Sequence, residues 1–117
     1  MGIVIKNFIF PRGDTLTFVF HFKNSDETPI DITGYTLYFT LKEKLSDSDD
    51  DAIIKIDESD HLNPVNGDSR ITVPDTDTDD LKGKYYYDFQ LKTTGGVINT
   101  FMQGKIEFKS DVTRRTS

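Results

Sequence analysis

His21 and His61 are the only imidazoles in the chain, and a general base working near neutral pH would most readily be one of them. His21 stands mid-strand opposite a row of phenylalanines, which predicts an exposed or inter-subunit position instead of a catalytic one. His61 falls in the loop Asp60-His61-Leu62-Asn63-Pro64. No serine occupies a nucleophile elbow, and no His-x-x-x-His pair is present to hold a metal. The absence of cysteine removes thiol catalysis, thiolate zinc sites and disulfides. No catalytic residue, metal site or cofactor site is assigned, and the expectation is a protein that is not an enzyme.

Aspartates are the next candidates. Asp75-Thr76-Asp77-Thr78-Asp79 places carboxylates at the first, third and fifth positions of a calcium-loop frame. The sixth position is then Asp80 where glycine is needed, and the twelfth is Tyr86 where a glutamate is needed. Asp47, Asp49, Asp50 and Asp51 crowd another loop without matching a template. Both segments read as solvated turns held open by mutual repulsion. Arg12-Gly13-Asp14 spells an integrin-ligand tripeptide, but a turn before a strand accounts for it: Gly13 relieves the backbone, and Asp14 or Thr15 bonds nearby N–H groups.

The elements that must position these residues are strands. Leu16, Phe18, Phe20 and Phe22 share one parity. Tyr35, Leu37, Phe39 and Leu41 share another, as do Tyr85, Tyr87, Phe89 and Leu91. Side chains on a strand alternate between faces, so this pattern means half-buried strands. A run from Gly2 to Phe10 reads as an edge or lead-in strand. Short strands follow at Ala52 to Ile56 and Ser69 to Val73, and Asp79-Asp80-Leu81 is read as at most one helical turn. Tyr85 to Lys92 and Val97 to Lys109, joined through Thr94-Gly95-Gly96, form a hairpin. Phe101 breaks the parity of its strand and predicts a bulge or an exposed aromatic.

One domain spanning 1–117 is expected, with 110–117 a polar C-terminal tail. The predicted fold is all-β: an immunoglobulin-like antiparallel β-sandwich of about seven strands, with a small β-barrel as the alternative. The hydrophobic fraction is only 35%, yet nine Phe and five Tyr can build much of the core, at roughly 1.5–3 kcal/mol per fully buried large side chain. The net charge of −6 opposes phosphate binding, so nucleic acid is excluded as a partner. No 18-residue apolar span exists, so membrane insertion is excluded too. Tyr38 and Tyr86 fall opposite the core positions and form the candidate interface: if their strands are neighbours, they make a patch suited to protein contact or sugar stacking.

The order of turns and strands resembles a family of tailed-phage baseplate and tail proteins. These are small β-sandwich domains like the N-terminal domain of the upper baseplate protein in phages of Gram-positive hosts. The matching stretches are Arg12-Gly13-Asp14-Thr15, Pro29-Ile30-Asp31-Ile32-Thr33-Gly34, Gly83-Lys84-Tyr85-Tyr86-Tyr87-Asp88 and Gly104-Lys105-Ile106-Glu107-Phe108. In that likeness Asp31, Thr33 and Gly34 form the turn into the third long strand. The resemblance implies a non-enzymatic building block of the virion, made in the host cytoplasm, without cofactor. Its implied partners are phage tail or baseplate proteins, or further copies of itself. The alternative function is a carbohydrate- or host-surface-binding module.

Overall fold

The alternating runs become eight strands among the described residues, 3–44 and 52–109 of a computed structural model. They are β1 (Val4–Ile5), β2 (Phe8–Pro11), β3 (Leu16–His21), β4 (Thr36–Lys42), β5 (Ile54–Glu58), β6 (Asp68–Val73), β7 (Gly83–Lys92) and β8 (Ile98–Lys109). One helical turn, α1 (Asp75–Thr78), and a 3-10 turn (Pro64–Asn66) complete them. The helical turn thus lies four residues earlier than Asp79-Asp80-Leu81; Leu81 instead folds inward as a core residue. The acidic run 46–51 and the tail 110–117 lie outside the described residues.

Two sheets form. The larger runs β1-β8-β7-β4-β5, with β2 also on the β8 edge; the smaller pairs β3 with β6. The sheet is mixed, not purely antiparallel as the sequence predicts, because β1 and β2 both run parallel to β8. The predicted single lead-in strand is divided at Lys6-Asn7, and the cause is local. Lys6 N–H still donates to Gln103 O at 3.0 Å. Its carbonyl, however, turns across the sheet to accept the Tyr87 hydroxyl at 2.6 Å. The Asn7 side-chain oxygen then accepts the Lys105 N–H at 3.0 Å, supplying an acceptor to the β8 ladder.

Aromatic rings join the sheets. β3 alternates buried and exposed residues along its length, aiming Phe18 and Phe20 at the larger sheet. Phe89 meets both rings edge-on, at centroid separations of 5.0 and 4.8 Å. Phe39 packs 5.7 Å from Phe18. Such aromatic pairs add about 0.5–1.5 kcal/mol beyond area burial. From the β1–β2 edge, Phe8 and Phe10 close on Phe18 as well.

The register of β7 with β8 slips between Phe89 and Gln90: Phe89 faces Met102, whereas Gln90 faces Thr100. Phe101 is the extra residue, and it is buried between Phe20 and Phe22. Of the two predicted outcomes, the bulge is the one observed. It turns a parity error into an additional core ring.

Loops close the ends. Ile32 is fully buried although it belongs to no strand, and its N–H donates to Pro64 O at 2.9 Å. Gly67 lies at φ 76°, and a Cβ there would come 2.4 Å from Phe22 O. Only glycine allows the 3-10 turn to pass this close to the chain leaving β3.

Candidate functional site

The outward face of the larger sheet holds most of the chemistry left over from packing. Its residues form rows across neighbouring strands. Lys42 on β4 faces Tyr86 on β7, which faces Lys105 on β8. In the next row Thr40 faces Asp88, which faces Gln103. Ile5 and Asn7 wall one side where β1 gives way to β2. These residues enclose a groove of about 320 Å³.

A glycine seats the wall of the groove at the β1–β2 junction. A Cβ on Gly104 would lie 2.1 Å from Lys6 O and 2.9 Å from Lys6 C. The missing side chain therefore lets the β1–β2 junction press onto β8. Tyr87 sits directly opposite Gly104 and reaches Lys6 O with its hydroxyl, an aromatic partner covering a strand glycine. Burial pushes the Tyr87 hydroxyl up from 10.0 to about 12, so it stays protonated and remains a donor at neutral pH. Lys105 Nζ stands 5.7 Å over the Tyr86 ring, within cation–π range. Asp88 Oδ1 is sealed from solvent in the groove floor.

The two tyrosines of the candidate interface share this face, and both are partly buried. They are not adjacent. Tyr38 faces Gln90 and Tyr86 faces Lys42, which sets them four residues apart, roughly 13 Å along the strands. Tyr86 lines the groove; Tyr38 lies two rows from Tyr86 and one row beyond the groove. The single aromatic patch that strand adjacency would have produced does not form.

Both histidines have structural partners. His61 is buried, with Nδ1 2.7 Å from Ser69 Oγ and Nε2 2.7 Å from Tyr35 O. A carbonyl can only accept, so Nε2 carries the hydrogen, and in the neutral ring Nδ1 accepts from the Ser69 hydroxyl. Ser69 is fully buried, so this Ser–His contact joins β6 to the start of β4 and no substrate can reach it. Glu58 precedes His61 by three residues, a metal-ligand spacing on a helix, but its Oε2 accepts the Asp60 N–H at 3.1 Å. His21 Nδ1 lies 2.7 Å from Asp68 Oδ1 on the surface of the β3–β6 pair.

The remaining motifs act as turns. Arg12-Gly13-Asp14 is tied at each position: Arg12 N–H donates to Lys109 O, Gly13 N–H to Thr78 O, and Asp14 O accepts the Thr78 hydroxyl. The bond at Asp14 thus uses its main-chain carbonyl, where the sequence pointed to its side chain. Asp31 Oδ1 accepts both the hydroxyl and the N–H of Thr33. The Thr33 hydroxyl, and then its N–H, hold the Asp31 carboxyl below the usual aspartate value. Among the described residues no three metal-ligating side chains converge, and no helix is long and apolar enough to cross a membrane.

Sequence reasoning missed Asn7, Gly104 and the Lys42–Tyr86–Lys105 row. One signal was present: a glycine inside a well-formed strand marks a close backbone approach, and Gly104 is that glycine. No protein-family model matches the chain, and no curated protein matches it.

Proposed function

We propose that this chain is a non-enzymatic structural module of a tailed-phage tail or baseplate, acting through protein–protein contact within the virion. The observation that carries the reading is the β1–β2 edge beside the groove, along whose outer side no strand pairs among the described residues. Ile3, Val4, Ile5 and Ile9 are all more than half exposed there, and apolar residues gathered at an unpaired sheet edge mark a contact surface. The strand order supports an immunoglobulin-like sandwich: β1/β2-β8-β7-β4-β5 lies against β3-β6, and the first strands run parallel to the last. The order and spacing of its turns support the phage-tail likeness.

Co-purification of the chain with the products of its neighbouring genes, followed by light-scattering mass measurement, tests this. A stable hetero-complex or a defined oligomer is expected. A monomer that associates with none of them would refute it. A carbohydrate- or host-surface-binding role is the second reading, favoured by the Tyr86 ring beside the polar groups of Asn7 and Gln103. It requires glycan-array signals that vanish in Tyr86→Ala.

A further inference from the structure

The chain enters the larger sheet with three consecutive β-branched residues, Ile3, Val4 and Ile5, and all three are more than half exposed. Successive side chains of a strand point to opposite faces, so this stretch is uncovered on both. Its main chain is satisfied on one side only. Lys6 N–H donates to Gln103 O and Arg12 N–H to Lys109 O, at 3.0 and 2.9 Å. The offset between partners is the same on either side of Lys6-Asn7, since Val4 faces Met102 and Phe8 faces Ile106. Even-numbered residues therefore turn their main-chain groups toward β8. Ile3, Ile5 and Ile9 turn theirs away, and no strand among the described residues receives them. Pro11 has no N–H to present on that outer side, as suits an edge, which leaves Ile3–Ile5 as the stretch best able to pair.

We infer that β1 pairs antiparallel with β1 of a second copy of this chain, joining two larger sheets into one across a two-fold axis at Val4. The assignment rests on the protein-contact reading above and names the partner. Ile3 of each copy then faces Ile5 of the other, and each such pair exchanges both its N–H···O bonds. Val4 faces its own counterpart as the non-hydrogen-bonded pair, with Cα atoms about 4.5 Å apart. An isologous contact needs a segment complementary to itself. Ile3-Val4-Ile5 is one, with β-branched residues opposite one another on both faces, and that selects a second copy over a strand of another protein. Charge decides the centre. Residues 1–13 hold Lys6 and Arg12 and no carboxylate, so Lys6 is the charged side chain nearest the axis along the strand. A centre at Lys6 would oppose the two lysines directly. A centre at Val4 sets them four positions, about 13 Å, apart, beyond the screening length of about 8 Å at physiological salt. The same screening limits the repulsion between two copies of charge −6.

The chain has no cysteine, so single cysteines report the contact. Val4→Cys should cross-link to a disulfide dimer under mild oxidation, because Cα atoms about 4.5 Å apart fall within disulfide range. Ile9→Cys and Val97→Cys, at positions no less exposed, should stay monomeric. Light scattering on the unaltered chain should show a monomer passing to a dimer as concentration rises, with exchange of the Ile5 amide slowing in step. Ile3→Lys/Ile5→Lys should weaken that dimer about tenfold or more, by setting like charges opposite one another. Val97→Lys/Ile98→Lys should leave it unchanged. A chain monomeric at every concentration, cross-linking at Val97→Cys as fast as at Val4→Cys, or a dimer that Ile3→Lys/Ile5→Lys leaves intact would each overturn the inference. So would an Ile5 amide already protected in the dilute monomer, because the chain itself would then cover the edge. The two readings fail separately. A monomer that still forms a complex with neighbouring gene products removes the dimer alone, and a monomer that joins none of them removes the protein-contact reading.

Discussion

Replacing Gly104 by alanine probes the packing that seats one wall of the groove. The new Cβ would sit 2.1 Å from the Lys6 carbonyl oxygen and 3.0 Å from Asn7 Oδ1. An ordinary contact needs about 3.4 Å or more, so the β1–β2 junction must retreat by roughly 1 Å. The obstacle is main chain, and it cannot rotate away as a side chain would. Three hydrogen bonds converge there: Tyr87 Oη to Lys6 O, Lys6 N to Gln103 O, and Lys105 N to Asn7 Oδ1. At about 0.5–1.5 kcal/mol each, their loss costs about 2–4 kcal/mol. Alanine restricts the unfolded chain and returns about 0.4–1 kcal/mol, leaving a net loss of about 1–4 kcal/mol. Urea unfolding measures the total, and amide exchange at Ile9 and Phe10 against Ile71 locates it: the edge should open first. Gly95→Ala is the control, since the nearest neighbour of its Cβ is Thr93 Oγ1 at 3.8 Å. A Gly104→Ala protein within about 0.5 kcal/mol of the parent, with unchanged exchange at Ile9 and Phe10, would refute the packing argument.

Tyr87→Phe should cost about 1 kcal/mol by removing the donor to Lys6 O. It should also remove a pH dependence. With the folded value raised to about 12, the hydroxyl's contribution is complete below pH 10 and declines as pH rises toward 12. The ceiling on that decline is about 2–3 kcal/mol, read from urea midpoints of parent and variant below and within that window. His61→Ala strands the buried Ser69 hydroxyl and the Tyr35 carbonyl; a loss of about 2–4 kcal/mol in denaturant unfolding is expected, and a loss near zero would deny the bridge. Asp26 and Asp31 are both held below the usual aspartate value, first by the hydroxyls of Thr28 and Thr33 and then by their N–H groups. Their contribution to stability is present above pH 3.8 and is lost as pH falls through the folded values. Carboxyl NMR titration should show both midpoints low, with Thr33→Val moving Asp31 upward alone.

The strands of the two sheets were legible because period-two alternation is a property of each run by itself. Phe18, Phe20, Phe39 and Phe89 face one another as their parity required. Phe101 declared its bulge by falling one position out of step. What local pattern could not carry was anything set by pairing between distant segments. The parallel joining of β1 and β2 to β8 depends on a contact across nearly the whole chain. His61 read as a loop residue because its partners, Tyr35 and Ser69, lie on two different strands. Tyr38 and Tyr86 were placed correctly on one face, but their separation depends on the β4–β7 register, which parity leaves open. The groove needed that register, the β7–β8 register and the glycine gap together.

The joining of β1 and β2 to β8 also dictates an order of events during synthesis. Bonds such as Tyr87 to Lys6 and Lys105 to Asn7 span 81 and 98 residues, so among the described residues β1 and β2 have no strand to pair with until β8 has left the ribosome. Contacts this remote are slow to form, because a long loop must close before any of them is rewarded. Until then the nascent chain carries Ile3, Val4, Ile5, Phe8 and Phe10 as an unshielded, sticky leader. Yield in cells should therefore track how soon that leader finds its seat more closely than how tightly the finished domain holds together.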